Sequence, residues 1–268
     1  MNVEQRSREF LPEARRIVVK IGTRVIAQKT GRPDMRPLKG LVAQVAKLHR
    51  NGYEILMVSS GAIGAGIEAL GMKERPKRVP DLQMCAAVGQ ARLMAKYEEL
   101  FLAEKIKIGQ VLLTHADFQH RIRFANAKRT MEHMIRYNVI PIINENDVVA
   151  DEEIKAALSL GDNDFLAALV VKLVRADLLV ILSTVDGVLD ENGKRVPCIE
   201  NLNDAFALVN PTQAGGFSKG GMGSKLRAAQ IAVKAGCSVV IACGRSQDVL
   251  TDVMSGSDSG TLILSSAL

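Results

Sequence analysis

Residues 53–70 read YEILMVSSGAIGAGIEAL, and the order of residue types in that stretch decides the fold. Tyr53–Val58 is an apolar run that does not alternate with polar residues. A strand with one wet face alternates, whereas a strand buried on both faces does not. Ser59, Ser60 and Gly61 end the run, and Ile63–Leu70 continues with helical spacing. Strand, small-residue turn and helix make half of a βαβ unit.

The same unit recurs in both directions along the chain. Upstream, Arg16–Ile21 (RIVVKI) is a strand ended by Gly22, and residues 37–50 carry Leu38, Leu41, Val42, Val45 and Leu48 at helical spacing until Asn51-Gly52 stops them. Downstream, helices are expected over 82–103, 121–137, 164–174, 222–235 and 247–254. Strands are expected over 110–113, 139–143, 178–182, 238–242 and 261–264. Pro141 lies inside VIPII, which places that strand near an edge or makes it irregular. The pattern predicts one α/β domain over residues 1–268. Its architecture is a three-layer αβα sandwich around a mainly parallel open sheet, with ligands at the C-terminal ends of the strands.

Composition agrees and excludes several alternatives. The chain has 268 residues, 47 % of them hydrophobic and 24 % charged, and no Trp. That length buries a core without metals or disulfides. No apolar run approaches the ~20 residues of a membrane-spanning helix, and the first residues lack the apolar core of a secretion signal. Cys85, Cys198, Cys237 and Cys243 include no C-x-x-C pair and read as reduced residues of a cytoplasmic protein. The four histidines lack metal-ligand spacing, and no G-x-S-x-G elbow is present.

The net charge of +6 is unevenly spread: residues 1–136 hold 25 Lys and Arg against 13 Asp and Glu, and the remainder holds 10 against 16. A basic half attracts nucleic acid, but equally a nucleotide or a dicarboxylate. The cations are scattered singly along helices and loops, with no aromatic stripe or zinc spacing beside them, which disfavours nucleic acid.

Five segments fall where this architecture puts ligands. In VVKIGT (18–23), Lys20 is a lone charge in a buried run. It is either a strand-end lysine reaching water or a fixed cation aimed at a phosphate beside Gly22. In SSGAIGAG (59–66), small residues leave backbone N–H groups free at a helix start, a ready anion site, or else allow a tight contact between helix and strand. INENDVV (143–149) and LGDNDFLA (160–167) bring Asn144, Glu145, Asn146, Asp147, Asp162, Asn163 and Asp164 near one another if both loops share an edge. Their amides and carboxylates suit an α-amino acid or cationic side chains, although Asp162 alone reads as a helix cap. LSTVDGV (182–188) is a turn or a contact for adenine or ribose. GGFSKGGMGSK (215–225) opens a helix with two lysines, yet it is not a Walker A loop, because no Gly-Lys-Ser/Thr occurs and no buried strand precedes it.

These blocks, in this order, resemble the amino acid kinase family over essentially the whole chain. CAAVGQARLM, GQVLLTHADF, RFANAKRTM and VIPIINENDVV add to the match. The combination of SSGAIGAG, INENDVV and GDND is similar to the branch of the family that phosphorylates glutamate. The resemblance implies transfer of the ATP γ-phosphoryl group to the γ-carboxylate of L-glutamate, the first step of proline synthesis. Acetylglutamate or aspartate as acceptor, and a non-catalytic nucleotide- or nucleic-acid-binding protein, are the competing readings.

Carried over residue by residue, the resemblance makes Lys20, Lys225 and Asp164 catalytic, with Asp164 orienting the lysines. Ser60, Gly61, Ala62, Asn144, Asp147 and Asn163 become substrate contacts. Lys20, Gly22, Ser183, Thr184 and the run Lys219, Gly220, Gly221, Met222, Gly223, Ser224 and Lys225 become ATP contacts. Backbone N–H groups at Gly22 and Gly61 are expected to help neutralise the phosphoryl oxygens. Mg²⁺ is expected on the nucleotide phosphates and water, with no protein metal site. The resemblance also implies a homo-oligomer, a dimer or tetramer, with proline as a feedback inhibitor. No C-terminal PUA-type domain is expected. Two departures from the family pattern stand out. Ser183-Thr184 replaces a common Thr-Asp pair, and the glycine loop reads KGGMGSK.

Overall fold

A computed structural model describes residues 8–27, 34–150, 163–208 and 221–265. Its strands form one eight-stranded sheet. In chain order they are β1 (Arg16–Ile21), β2 (Glu54–Val58), β3 (Lys107–Leu113), β4 (Val139–Glu145), β5 (Leu178–Ser183), β6 (Cys198–Ile199), β7 (Ser238–Cys243) and β8 (Thr261–Ile263). Across the sheet the order is β3-β4-β2-β1-β5-β7-β8-β6. Every pairing from β3 to β7 is parallel. β8 then runs antiparallel to β7, and β6 follows β8 in parallel. The chain leaves β1 in one direction and returns to its other side with β5, so the topological switch point lies between β1 and β5.

The unbroken apolar runs became central strands for the reason read from the sequence. β1, β2, β5 and β7 are buried on both faces. Over one face lie α1 (Met35–Arg50), α2 (Ala62–Ala69), α3 (Val79–Ala103) and the short α9 (Val249–Met254). Over the other lie α5 (Arg121–Arg136), α6 (Asp164–Val174), α7 (Leu202–Leu208) and α8 (Met222–Lys234). A further short helix, α4 (His115–Gln119), is closed by a capping box between Thr114 and Asp117. β1 shows how the layers divide. Ile17, Val19 and Ile21 pack with the first helical layer and Val18 with the second. Lys20 shares the parity of Val18 and therefore faces α6 and α8.

β4 lies second from the edge, and its ladder with β2 begins only at Met57 and Ile142, past Pro141. The strand is regular, and it runs on to Glu145, so Asn144 belongs to a strand end rather than a loop. The reversal of β8, the short β6 and helix α7 were not read from the sequence. Arg8 closes this reversed edge. Its buried guanidinium donates to the carbonyls of Ser257, Ser259, Pro197 and Gly260 at 2.9–3.0 Å. Among the described residues, no helix is long and apolar enough to cross a membrane, and the four cysteines are free thiols.

Candidate active site

Three residues distant in sequence meet at the C-terminal edge of the sheet. Lys20 extends from β1, Asp164 is the first residue of α6, and Lys225 sits in the first turn of α8. The Lys20 ammonium lies 2.7 Å from Asp164 Oδ1, and that of Lys225 lies 3.1 Å from Oδ2. Lys20 and Asp164 have no solvent exposure, and Lys225 has 5 %. Burial alone would push the Asp164 carboxyl up. The two lysines, with hydrogen bonds from Lys20 and Ser224, outweigh it and hold the carboxyl below the ordinary aspartate value. A carboxylate in the first turn of a helix also sits at the positive end of the helix dipole. Asp164 is thus an ionised anchor carrying one ammonium on each oxygen, and the trio bears a net charge of +1. Such a cluster is built to receive an anion.

Ser224 completes the anchor. Its buried hydroxyl lies 2.9 Å from Asp164 Oδ2 and 2.8 Å from the Gly221 carbonyl. The sequence placed Ser224 on the nucleotide, whereas the structure turns its hydroxyl inward. Gly22 also differs from expectation: its N–H donates to the Leu182 carbonyl at 3.0 Å, so it is not free for a phosphate. A side chain there would be a tight fit. A Cβ at position 22 would lie 3.0 Å from that carbonyl and 3.8 Å from the Lys20 ammonium.

A second group forms between β2, β4 and α6. Asn163 donates through Nδ2 to the Ser59 carbonyl, and to Asn144 Oδ1 at 2.5 Å. The two N-D segments therefore do share one edge, as their positions after neighbouring elements suggested. Ser60 is buried at the start of the β2–α2 turn. Gly61 follows with φ of 98°, a left-handed conformation that glycine adopts without strain. Among the described residues no side chain caps α2, whose first turn contains Ala62. That leaves its leading N–H groups for an incoming anion. Asp147 lies, partly buried, in the turn after β4, which is tied to β3 by Asn146 N donating to the Leu113 carbonyl at 2.9 Å. Ser183 ends β5, and exposed Thr184 follows it. Gly221, Met222 and Gly223 open α8, the last two as its first residues. Lys219, Gly220 and Asp162 lie outside the described residues.

Two further participants, buried Tyr97 and partly buried Gln90, were not among the expected site residues, although Gln90 lies within CAAVGQARLM. Tyr97 Oη is 2.8 Å from Ser59 Oγ, and Gln90 Oε1 accepts from Asn144 Nδ2 at 2.8 Å. Both come from α3. A cavity of about 390 Å³ adjoins the β2–α2 turn, lined among others by Thr23, Gly61, Ala65 and Leu93. The described residues contain no cluster of three or more His, Cys, Asp or Glu that could hold a metal ion.

A sheet-edge site that pairs a cationic cluster with free helix-start N–H groups defines a class of proteins that handle small anions at a switch point. The chain belongs to the amino acid kinase family, whose pattern matches residues 15–243. Its relatives include a glutamate 5-kinase of Citrifermentans bemidjiense, 43 % identical over 96 % of this chain and 69 % of that protein. Another is the glutamate 5-kinase of Clostridium acetobutylicum, 40 % identical over 96 % of this chain and 97 % of that protein. Among solved structures, the carbamate kinase of Giardia superposes with a TM-score of 0.64 at 20 % identity, covering 94 % of this chain and 99 % of that one. At that identity the likeness concerns the fold.

Proposed function

We propose that the chain transfers the γ-phosphoryl group of ATP to the γ-carboxylate of L-glutamate, giving L-glutamyl 5-phosphate for proline synthesis. The observation that carries the chemistry is the buried Lys20–Asp164–Lys225 bridge. The choice of acceptor follows the relatives named glutamate 5-kinase, about 40 % identical along nearly the whole chain.

The geometry suits this reaction. The acceptor carboxylate is ionised at neutral pH, so no general base is needed. One carboxylate oxygen forms the new P–O bond while the bond from phosphorus to the β,γ-bridging oxygen breaks, and its electron pair leaves with ADP. Both reactants are anions, so the site must align them and offset their charge. Lys20 and Lys225 do so as ammonium groups held in place before substrate arrives, which avoids reorganisation during the reaction. Asp164 keeps them apart and oriented without taking a proton.

In this reading Ser60, Gly61, Ala62, Asn144, Asp147 and Asn163 hold glutamate. Ser183, Thr184 and the start of α8 hold the nucleotide, with Mg²⁺ entering as part of that substrate on its phosphates and water. Assembly into a homo-oligomer and inhibition by proline belong to the same reading.

The test is hydroxylamine trapping of the acyl phosphate with ATP and Mg²⁺, using glutamate, N-acetylglutamate and aspartate in parallel. The expected result is a hydroxamate from glutamate. Product confined to another acid removes glutamate from the proposal.

A further inference from the structure

Helix α3 sends two side chains toward the acceptor site for which the reaction above has no use. Gln90 and Tyr97 are seven residues apart, two helical turns, and so share a face. They grip the two ends of one bracket. Tyr97 Oη meets Ser59 Oγ at 2.8 Å, and Gln90 Oε1 accepts from Asn144 Nδ2 at 2.8 Å. Between them, Asn163 donates to both the Ser59 carbonyl and Asn144 Oδ1.

The amide orientations follow from the backbone. The Glu145 N–H donates to Asn144 at 2.9 Å, which makes that atom the oxygen Oδ1. Asn144 must then donate with Nδ2, and Gln90 must present Oε1 to it. This leaves Gln90 Nε2 buried with no partner among the described residues. A buried donor without an acceptor is unfavourable, so position 90 is not explained as a self-sufficient structural contact. What its amide supplies is an oxygen for Asn144.

We infer that Gln90 and Tyr97 are positioning residues for the acceptor. Through Asn144 and Ser59 they fix the Asn163 carboxamide and the start of α6. The inference rests on the reading that Asn144 and Asn163 hold the acceptor. Neither α3 side chain has a hydrogen bond to Lys20 or Lys225 among the described residues, so the effect falls on the acceptor rather than on the nucleotide.

Three single variants test this. Tyr97→Phe removes one hydroxyl and keeps the ring that stacks on Phe101. Gln90→Leu removes the acceptor oxygen, and Gln90→Glu retains it. KM for glutamate is expected to rise about 5- to 30-fold in Tyr97→Phe and Gln90→Leu, as for the loss of one buried hydrogen bond. KM for ATP is expected to stay within about twofold, and Gln90→Glu to recover most of the loss. Parallel rises in both KM values, wild-type KM in Tyr97→Phe, or a Gln90→Glu variant as impaired as Gln90→Leu overturns the inference. If Gln90→Leu fails to fold, Tyr97→Phe decides. Wild-type protein that phosphorylates a different acid removes the glutamate reading alone, and the variants are then judged on KM for that acid.

Discussion

At the scale of single residues, Lys20 is the most informative side chain. A lysine near the end of a buried strand is costly unless paired, and one partner proved to be Asp164 at 2.7 Å. Lys20→Met and Lys225→Met should each lower kcat by roughly 10²–10⁴ with KM for glutamate little changed, as for a lost transition-state contact. Steady-state kinetics with the hydroxamate readout checks this. Asp164 makes a different prediction. Its carboxyl is depressed in the folded state, so its stabilising contribution is complete above the unfolded value near 3.8. It is lost as pH falls through the lower folded value. Asp164→Asn should therefore destabilise the protein at neutral pH and narrow the gap in Tm to wild type below about pH 4. Thermal melts across that range measure it. Lys20 was legible because charge and burial conflicted in the sequence itself. The roles of Gln90 and Tyr97 were not, because their partners lie 54 and 38 residues away. The inward turn of the Ser224 hydroxyl was likewise settled only by where α6 and α8 pack.

At the scale of elements, the contact between α2 and α3 sets the β2–α2 turn. It is made by glycines. A Cβ on Gly66 would lie 1.8 Å from the Cys85 carbonyl oxygen, and one on Gly89 would lie 1.8 Å from that of Ala62. These are backbone atoms and cannot swing aside. Gly89→Ala should cost about 1–3 kcal/mol or more by overpacking, and should raise KM for glutamate by moving the helix that starts at Gly61. Denaturant titration and kinetics together test this, and an unchanged midpoint would refute the tight crossing. SSGAIGAG allowed two readings in sequence, an anion site or a tight contact between helix and strand. Gly61 serves the turn and Gly66 the packing against α3. Helix and strand existence was widely legible because the apolar periodicity was strong. The direction of β8 was not, since a run such as TLIL carries no polarity.

At the scale of the whole molecule, the two ends of the described chain are joined through Arg8. Its carbonyl partners lie up to 252 residues away, and Asp258 adds an ion pair at 3.4 Å. Arg8→Ala should lower Tm by several degrees, since one buried guanidinium satisfies four carbonyls and its loss strands them. Arg8→Lys should recover little, because an ammonium cannot reproduce the planar fork. Differential scanning calorimetry distinguishes the two. The charge asymmetry of the sequence did not locate the site. Lys20 belongs to the basic half, whereas Asp164 and Lys225 belong to the acidic one.

The bridge at Asp164 also has a consequence in time. A ribosome releases Lys20 long before Asp164, and Asp164 well before Lys225. Until residue 164 has emerged, the Lys20 ammonium lacks the carboxylate that it meets in the folded protein. β5, which flanks β1 on the other side, arrives only after α6. The same carboxylate therefore ties the interior of the sheet to the order of synthesis: β1 meets its buried counter-charge, and its second neighbour β5, only in the later part of the chain.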